Sequence, residues 1–173
     1  MENAINNNNI TLAGVVEREP EYSHEVLGEG FYVFMLKCSR TSGNNDTLPV
    51  MISDRLADVR EIKVGQVVTV SGQIRSFNRH IDDVKRKLIL SVFARELEIL
   101  AQDATELSFE EHINTVVLDA HICKPPVYRC TPKGREIADI LVAVNRPYGK
   151  SDYIPCIAWG RNARFAGGLE VGE

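Results

Sequence analysis

Residues 8–59 read NNITLAGVVEREPEYSHEVLGEGFYVFMLKCSRTSGNNDTLPVMISDRLADV, and residues 114–165 read NTVVLDAHICKPPVYRCTPKGREIADILVAVNRPYGKSDYIPCIAWGRNARF. The two stretches overlay without a gap at an offset of 106, with 11 of 52 positions identical. Chance supplies about three such matches, so the chain contains one unit twice. The shared residues include Pro20 and Pro126, Gly28 and Gly134, Arg40 and Arg146, Gly43 and Gly149, Asp46 and Asp152, and Arg55 and Arg161. These are turn residues and cations, where backbone geometry and surface chemistry restrict choice.

Each copy reads as short strands separated by turns. Ile10–Val16 and Val116–Ile122 are strands with a small residue in mid-course, as a sharply coiled barrel strand requires. A loop with Pro20 or Pro126 leads to a turn glycine, Gly28 or Gly134. Residues 31–40 and 137–146 form the second strand, and residues 48–53 and 154–159 the third. A short helical segment follows, 54–60 in the first copy and 160–166 in the second. Only the first copy adds two further strands, 66–77 and 87–100. Five strands with a helix between the third and fourth describe the OB-fold, so the expected fold is mainly β, with two OB-fold units. The expected division is 1–100, an acidic linker at 101–112 in which Leu107 and Phe109 dock on a barrel, and 113–173. Glu170–Glu173 align with Lys63–Gln66 after one inserted residue, so the second unit lacks its last two strands and is expected to belong to a longer product.

Nothing at the amino terminus resembles a basic and apolar leader, and no apolar run is of membrane-spanning length; a cytoplasmic location without a membrane partner is expected. Cys38, Cys123, Cys130 and Cys156 form no CxxC pair, and Cys38 and Cys156 each face a valine in the other copy, the exchange expected of small buried hydrophobes. His121, Cys123 and Cys130 lack a fourth ligand at convincing spacing, so neither a metal nor another cofactor is expected. Nucleotide-loop, nucleophile-elbow and metalloprotease motifs are missing too, which argues against an enzyme.

The net charge of −4 is unevenly spread. Residues 1–106 hold 12 Lys and Arg against 16 Asp and Glu, whereas residues 112–168 hold 8 against 4. Because screening limits charge effects to about 10 Å, the basic second copy sets its own local field. Along its third strand Ile154, Cys156 and Ala158 point inward, and Tyr153, Pro155, Ile157 and Trp159 outward. Tyr148 stands in the preceding loop. Around these aromatics sit Arg129, Lys133, Arg135, Arg146, Lys150, Arg161 and Arg164. Rings on an open sheet offer stacking for unpaired bases, and the cations suit phosphates; duplex reading would call for a helix or ribbon sized to a groove. Each residue alone has an ordinary structural alternative as a loop packer, core edge or solvated cation, and the combination carries the argument.

The first copy has Ser42, Thr47 and Ser53 where the second has Tyr148, Tyr153 and Trp159, and Ser23, Leu27, Asn44 and Asp58 where it has Arg129, Lys133, Lys150 and Arg164. It is read as a scaffold, a dimer contact or an accessory site. Arg40, Arg75, Phe77 and Arg79 are its secondary candidates for strand contact.

Asn114–Leu118, Pro126–Gly134, Leu141–Arg146 and Asp152–Gly160 resemble, in order and in spacing, the bacterial single-stranded DNA-binding protein family. The resemblance implies an OB-fold, single-strand binding without catalysis, stacking by Tyr148, Tyr153 and Trp159, and backbone contacts by Arg146 and Arg161. Typical members have one OB domain and assemble as tetramers; two per chain imply a homo-oligomer, a dimer with four OB units. Single-stranded DNA is the expected partner, with replication or repair proteins as further ones. The competing reading is an interaction module that assembles a replisome or primosome complex.

Overall fold

The computed structural model describes residues 6–103 and 114–173, so most of the expected linker, with Leu107 and Phe109, lies outside the described residues. The described residues divide into two compact units, one within Asn8–Val117 and the other Leu118–Glu173 with Asn6 and Asn7.

In the first unit, β1 (Asn8–Val26), β2 (Glu29–Ser39), β3 (Asn45–Ser53), β4 (Val67–His80) and β5 (Arg86–Ala101) form a sheet in the order β2-β3-β5-β4-β1. Pairing of β1 with β2 closes it, and β3 runs parallel to β5. This is the five-stranded OB-fold barrel. Its interior is filled by Leu12, Val16, Phe34, Leu36, Val50, Ile52, Val68, Val70 and Val92, contributed by alternating positions of all five strands. Gly14 and Gly72 permit the tight coiling: a Cβ on Gly14 would lie 2.5 Å from the Lys37 carbonyl oxygen, and one on Gly72 would lie 2.0 Å from that of Phe93.

Two local expectations are corrected. Pro20 lies within β1 rather than in a loop, because β1 and β2 continue as a twisted ribbon whose register shifts between Arg18 and Glu21 absorb the proline. Residues 54–60 form turns and a 3-10 turn at Val59–Glu61 instead of a continuous helix. There the Asp58 side chain accepts from the Arg60 amide, a local bond that competes with helix continuation.

The second unit contains β7 (His121–Ile122), β8 (Val127–Cys130), β9 (Glu136–Asn145), β10 (Ser151–Trp159) and α1 (Arg161–Ala166). β9 pairs with β7, β8 and β10. The offset of 106 holds in register: Phe31 opposite Ser53 becomes Ile137 opposite Trp159, Tyr22 opposite Tyr32 becomes Tyr128 opposite Ala138, and Val16 opposite Leu36 becomes Ile122 opposite Val142. The inserted residue is visible too. Val16 donates to the Gln66 carbonyl and accepts from Gly65, and Ile122 makes the same pair of bonds with Glu173 and Gly172. Ala163 and Ala166 of α1 pack on Ala138, with Ile140, Ala158 and Leu169 around them. The strand expected at Val116–Ile122 is broken at Asp119–Ala120: β6 (Asn114–Leu118) extends the β1 edge of the first sheet, and only β7 pairs with β9.

The repeated Arg and Asp form the same ion pair in both units, Arg40 with Asp46 and Arg146 with Asp152, across the turn that joins the second and third strands. Asp152 is fully buried, whereas Asp46 is well exposed. Arg146→Ala strands a buried carboxylate and is expected to cost the second unit about 3 kcal/mol. Urea unfolding followed by emission of Trp159, the only tryptophan, measures this. The first unit's transition, followed by circular dichroism, should barely move in Arg40→Ala.

Candidate nucleic-acid interface

Residues paired across an antiparallel sheet share a face, so the pairing defines the outer surface of the second unit. Its rows are Arg129, Ile137 and Trp159; Val127, Asp139 and Ile157; Leu141 and Pro155; and His121, Ala143 and Tyr153. The expected alternation along β10 is present: Ile154 is buried and Cys156 and Ala158 are half-buried, while Tyr153, Pro155, Ile157 and Trp159 are exposed. Tyr153 is 45% exposed and Trp159 53%, far more than a core aromatic would be. Six strand residues separate them, roughly 20 Å.

Tyr148 lies in a 3-10 turn (Pro147–Gly149) with φ 66° and is 90% exposed. A bulky residue in left-handed backbone is uncommon, and this one has almost no packing to offset that cost. The Arg146 amide donates to the Lys150 carbonyl at 2.7 Å and closes the turn.

The structure sorts the cations into two groups. Arg129 Nε meets Asp139 Oδ2 at 2.9 Å, Arg146 clasps Asp152, and Arg164 donates from Nε to both Glu136 oxygens at 2.7 and 2.8 Å. Lys133, Arg135, Lys150 and Arg161 are exposed and have no side-chain partner among the described residues. Lys133 and Arg135 flank the β8–β9 turn, Arg161 follows Trp159 across Gly160, and Lys150 sits between Tyr148 and Tyr153. The unpaired cations thus lie toward the two ends of β10, each end with an aromatic ring.

Residues not singled out from sequence also stand here. Asp139 lies mid-face opposite Ile157, a position legible only through register. Phe165 projects from α1 and is largely exposed. The Tyr128 hydroxyl donates to Glu136 at 2.5 Å. Arg164 first and Tyr128 second hold the Glu136 carboxyl down to about 2, and Glu136 pushes the Tyr128 hydroxyl up to about 12. Of the secondary candidates in the first unit, Arg40 is engaged by Asp46, Arg75 lies 5.7 Å over the Phe93 ring, and Phe77 and Arg79 are exposed on β4. The outer side of that barrel has its own aromatic line, His24 stacked on Phe31 at 5.0 Å and Phe31 at 6.0 Å from Phe93, which comparison with the second copy did not reveal.

Residues 113–173 match the model of the Single-strand binding protein family. The match lies within the second half of the chain and covers about a third of its length. The single-stranded DNA-binding protein of Oceanobacillus iheyensis is 37% identical over 57 residues, 30% of this chain and 35% of that protein. The chain therefore spans about a third of the length of the curated relatives it matches. Wild-type single-stranded DNA binding protein from Thermus aquaticus shares the fold at a TM-score of 0.74, with 21% identity, over 95% of this chain and 80% of that one. The dimeric N-terminal domain of PriB protein from Thermoanaerobacter tencongensis is 42% identical, covering 55% of this chain and 98% of that chain at a TM-score of 0.48. Among the described residues no helix is long and apolar enough to cross a membrane, and no group of three or more His, Cys, Asp or Glu could hold a metal ion.

Because the Glu136 carboxyl is held below its ordinary range, the stability it contributes is complete above the unfolded value of about 4.3 and lost as pH falls toward about 2. Glu136→Gln is expected to flatten this part of the acid-unfolding curve, read from Trp159 emission.

Proposed function

We propose that the outer face of the second unit binds single-stranded DNA without marked sequence preference, protecting it during replication, recombination or repair. The observation that carries this reading is the exposure of three rings, two of them in line on one sheet face and the third held out on a left-handed turn. Folding gains little from such rings in water, whereas each unpaired base offers a flat surface worth about 1 to 3 kcal/mol when stacked. Tyr148, Tyr153 and Trp159 stack bases, and Lys133, Arg135, Lys150 and Arg161 contact phosphates at the two ends of the path. Arg146 acts chiefly through the turn it holds; Arg129 and Arg164 reach phosphate only by exchanging a carboxylate partner. In the first unit, Arg75, Phe77 and Arg79 on the β4–β5 ribbon form an accessory contact, and Arg40 stays with Asp46. A homo-oligomer would multiply these faces, and replication or repair proteins are the partners this activity calls for. No specific observation favours the interaction-module reading.

Titration with oligothymidine at low salt is expected to quench Trp159 emission, and Trp159→Ala to weaken binding about tenfold or more. Affinity should fall with salt at a log–log slope of about −0.7 per contacted phosphate. Unchanged emission at saturating oligonucleotide would overturn the reading.

A further inference from the structure

Asp139 is the sole charged residue that β9 presents to the outer face, which otherwise carries Ile137, Leu141 and Ala143. It lies between Val127 and Ile157, one row from Trp159, on a surface that a polyanion is proposed to follow. A carboxylate there opposes phosphate. Folding does not require it: in the first unit the same register position is Val33, and the residue at the offset position of Arg129 is Ser23, with His24 taking its place opposite Phe31 after a register shift. The acid and its cation occur together, and only in the copy that carries the exposed rings.

The pair is built to exchange. Arg129 Nε and Asp139 Oδ2 are 2.9 Å apart, with side chains 53% and 42% exposed, so water screens the bond and either partner can leave at small cost. Arg129 shares its row with Trp159, since both are paired with Ile137. A strand stacked on Trp159 therefore brings its phosphates within the sweep of the Arg129 side chain.

From this geometry we infer that Asp139 is a built-in competitor for Arg129: a phosphate passing Trp159 reaches the guanidinium only by displacing the Asp139 carboxylate. The competition holds the affinity of the face below what its cations alone would give. This rests on the outer face being the strand-binding surface.

The test uses the full chain and the anisotropy of a fluorescently labelled oligothymidine across a salt series, with Trp159→Ala alongside. Asp139→Asn keeps the side-chain shape and removes the charge; Asp139→Val restores the first unit's residue. Both are expected to bind about three- to fivefold more tightly at low salt. The salt slope should steepen by up to about 0.7, one additional phosphate contact. Equal or weaker binding by both variants, with an unchanged slope, overturns the inference. If Trp159→Ala loses affinity in that same experiment, the strand-binding face stands and only the competitor role fails; if Trp159→Ala binds as tightly as the unsubstituted chain, both fall.

Discussion

The nine-residue antiparallel ladder between β9 and β10 is the constraint on which the second unit's surface depends. Strand side chains alternate with a period of two, so this register puts Tyr153, Pro155, Ile157 and Trp159 outside and Ile154, Cys156 and Ala158 inside. A slip by one residue would bury the rings and expose the small apolar set. Two features hold the ladder in place. At its turn end, Arg146 clasps the buried Asp152 and its amide closes the loop onto Lys150. At the other end, Gly160 takes φ 58° and turns the chain into α1, whose alanines seal against Ala138 and Ala158.

The same ion pair does different physical work in the two units. Around Arg40 and Asp46 it is a solvated clip on a turn of small polar residues. Around Arg146 and Asp152 it is partly buried and supports a turn that carries Tyr148 in a conformation suited to glycine. Sequence identity at those positions marks a shared turn, and the surface chemistry has diverged above it. Divergence also runs the other way: the first barrel has a His24–Phe31–Phe93 line, completed by a residue of β5 that lies outside the repeated segment.

Charge shows most plainly why a count of basic residues describes a surface poorly. Residues 112–168 contain eight cations and four acids, and three of those acids are spent on Arg129, Arg146 and Arg164. The field that a polyanion meets is therefore concentrated at the ends of β10, around Lys150 and around Arg161, Arg135 and Lys133. The middle of the path is apolar, with one self-compensated pair.

Much of the molecule was legible in its sequence, because repetition and strand alternation are properties of the chain itself. The repeat predicted matching second and third strands in the two units, at 31–40 and 48–53 and at 137–146 and 154–159, and alternation along residues 153–159 identified which rings face outward. The inserted residue before the Gly172 position was readable from the alignment of two short motifs alone. Tertiary structure decided what depends on neighbours distant in the chain. It placed β6 in the first sheet, carried β1 through Pro20, and replaced the expected helix at 54–60 with turns. It also divided the arginines into free and partnered groups: Arg129 finds Asp139, and Arg164 finds Glu136, only after strands and helix fold together. Sequence patterns record which face a residue occupies; which charge stands opposite it is set by packing and register across strands.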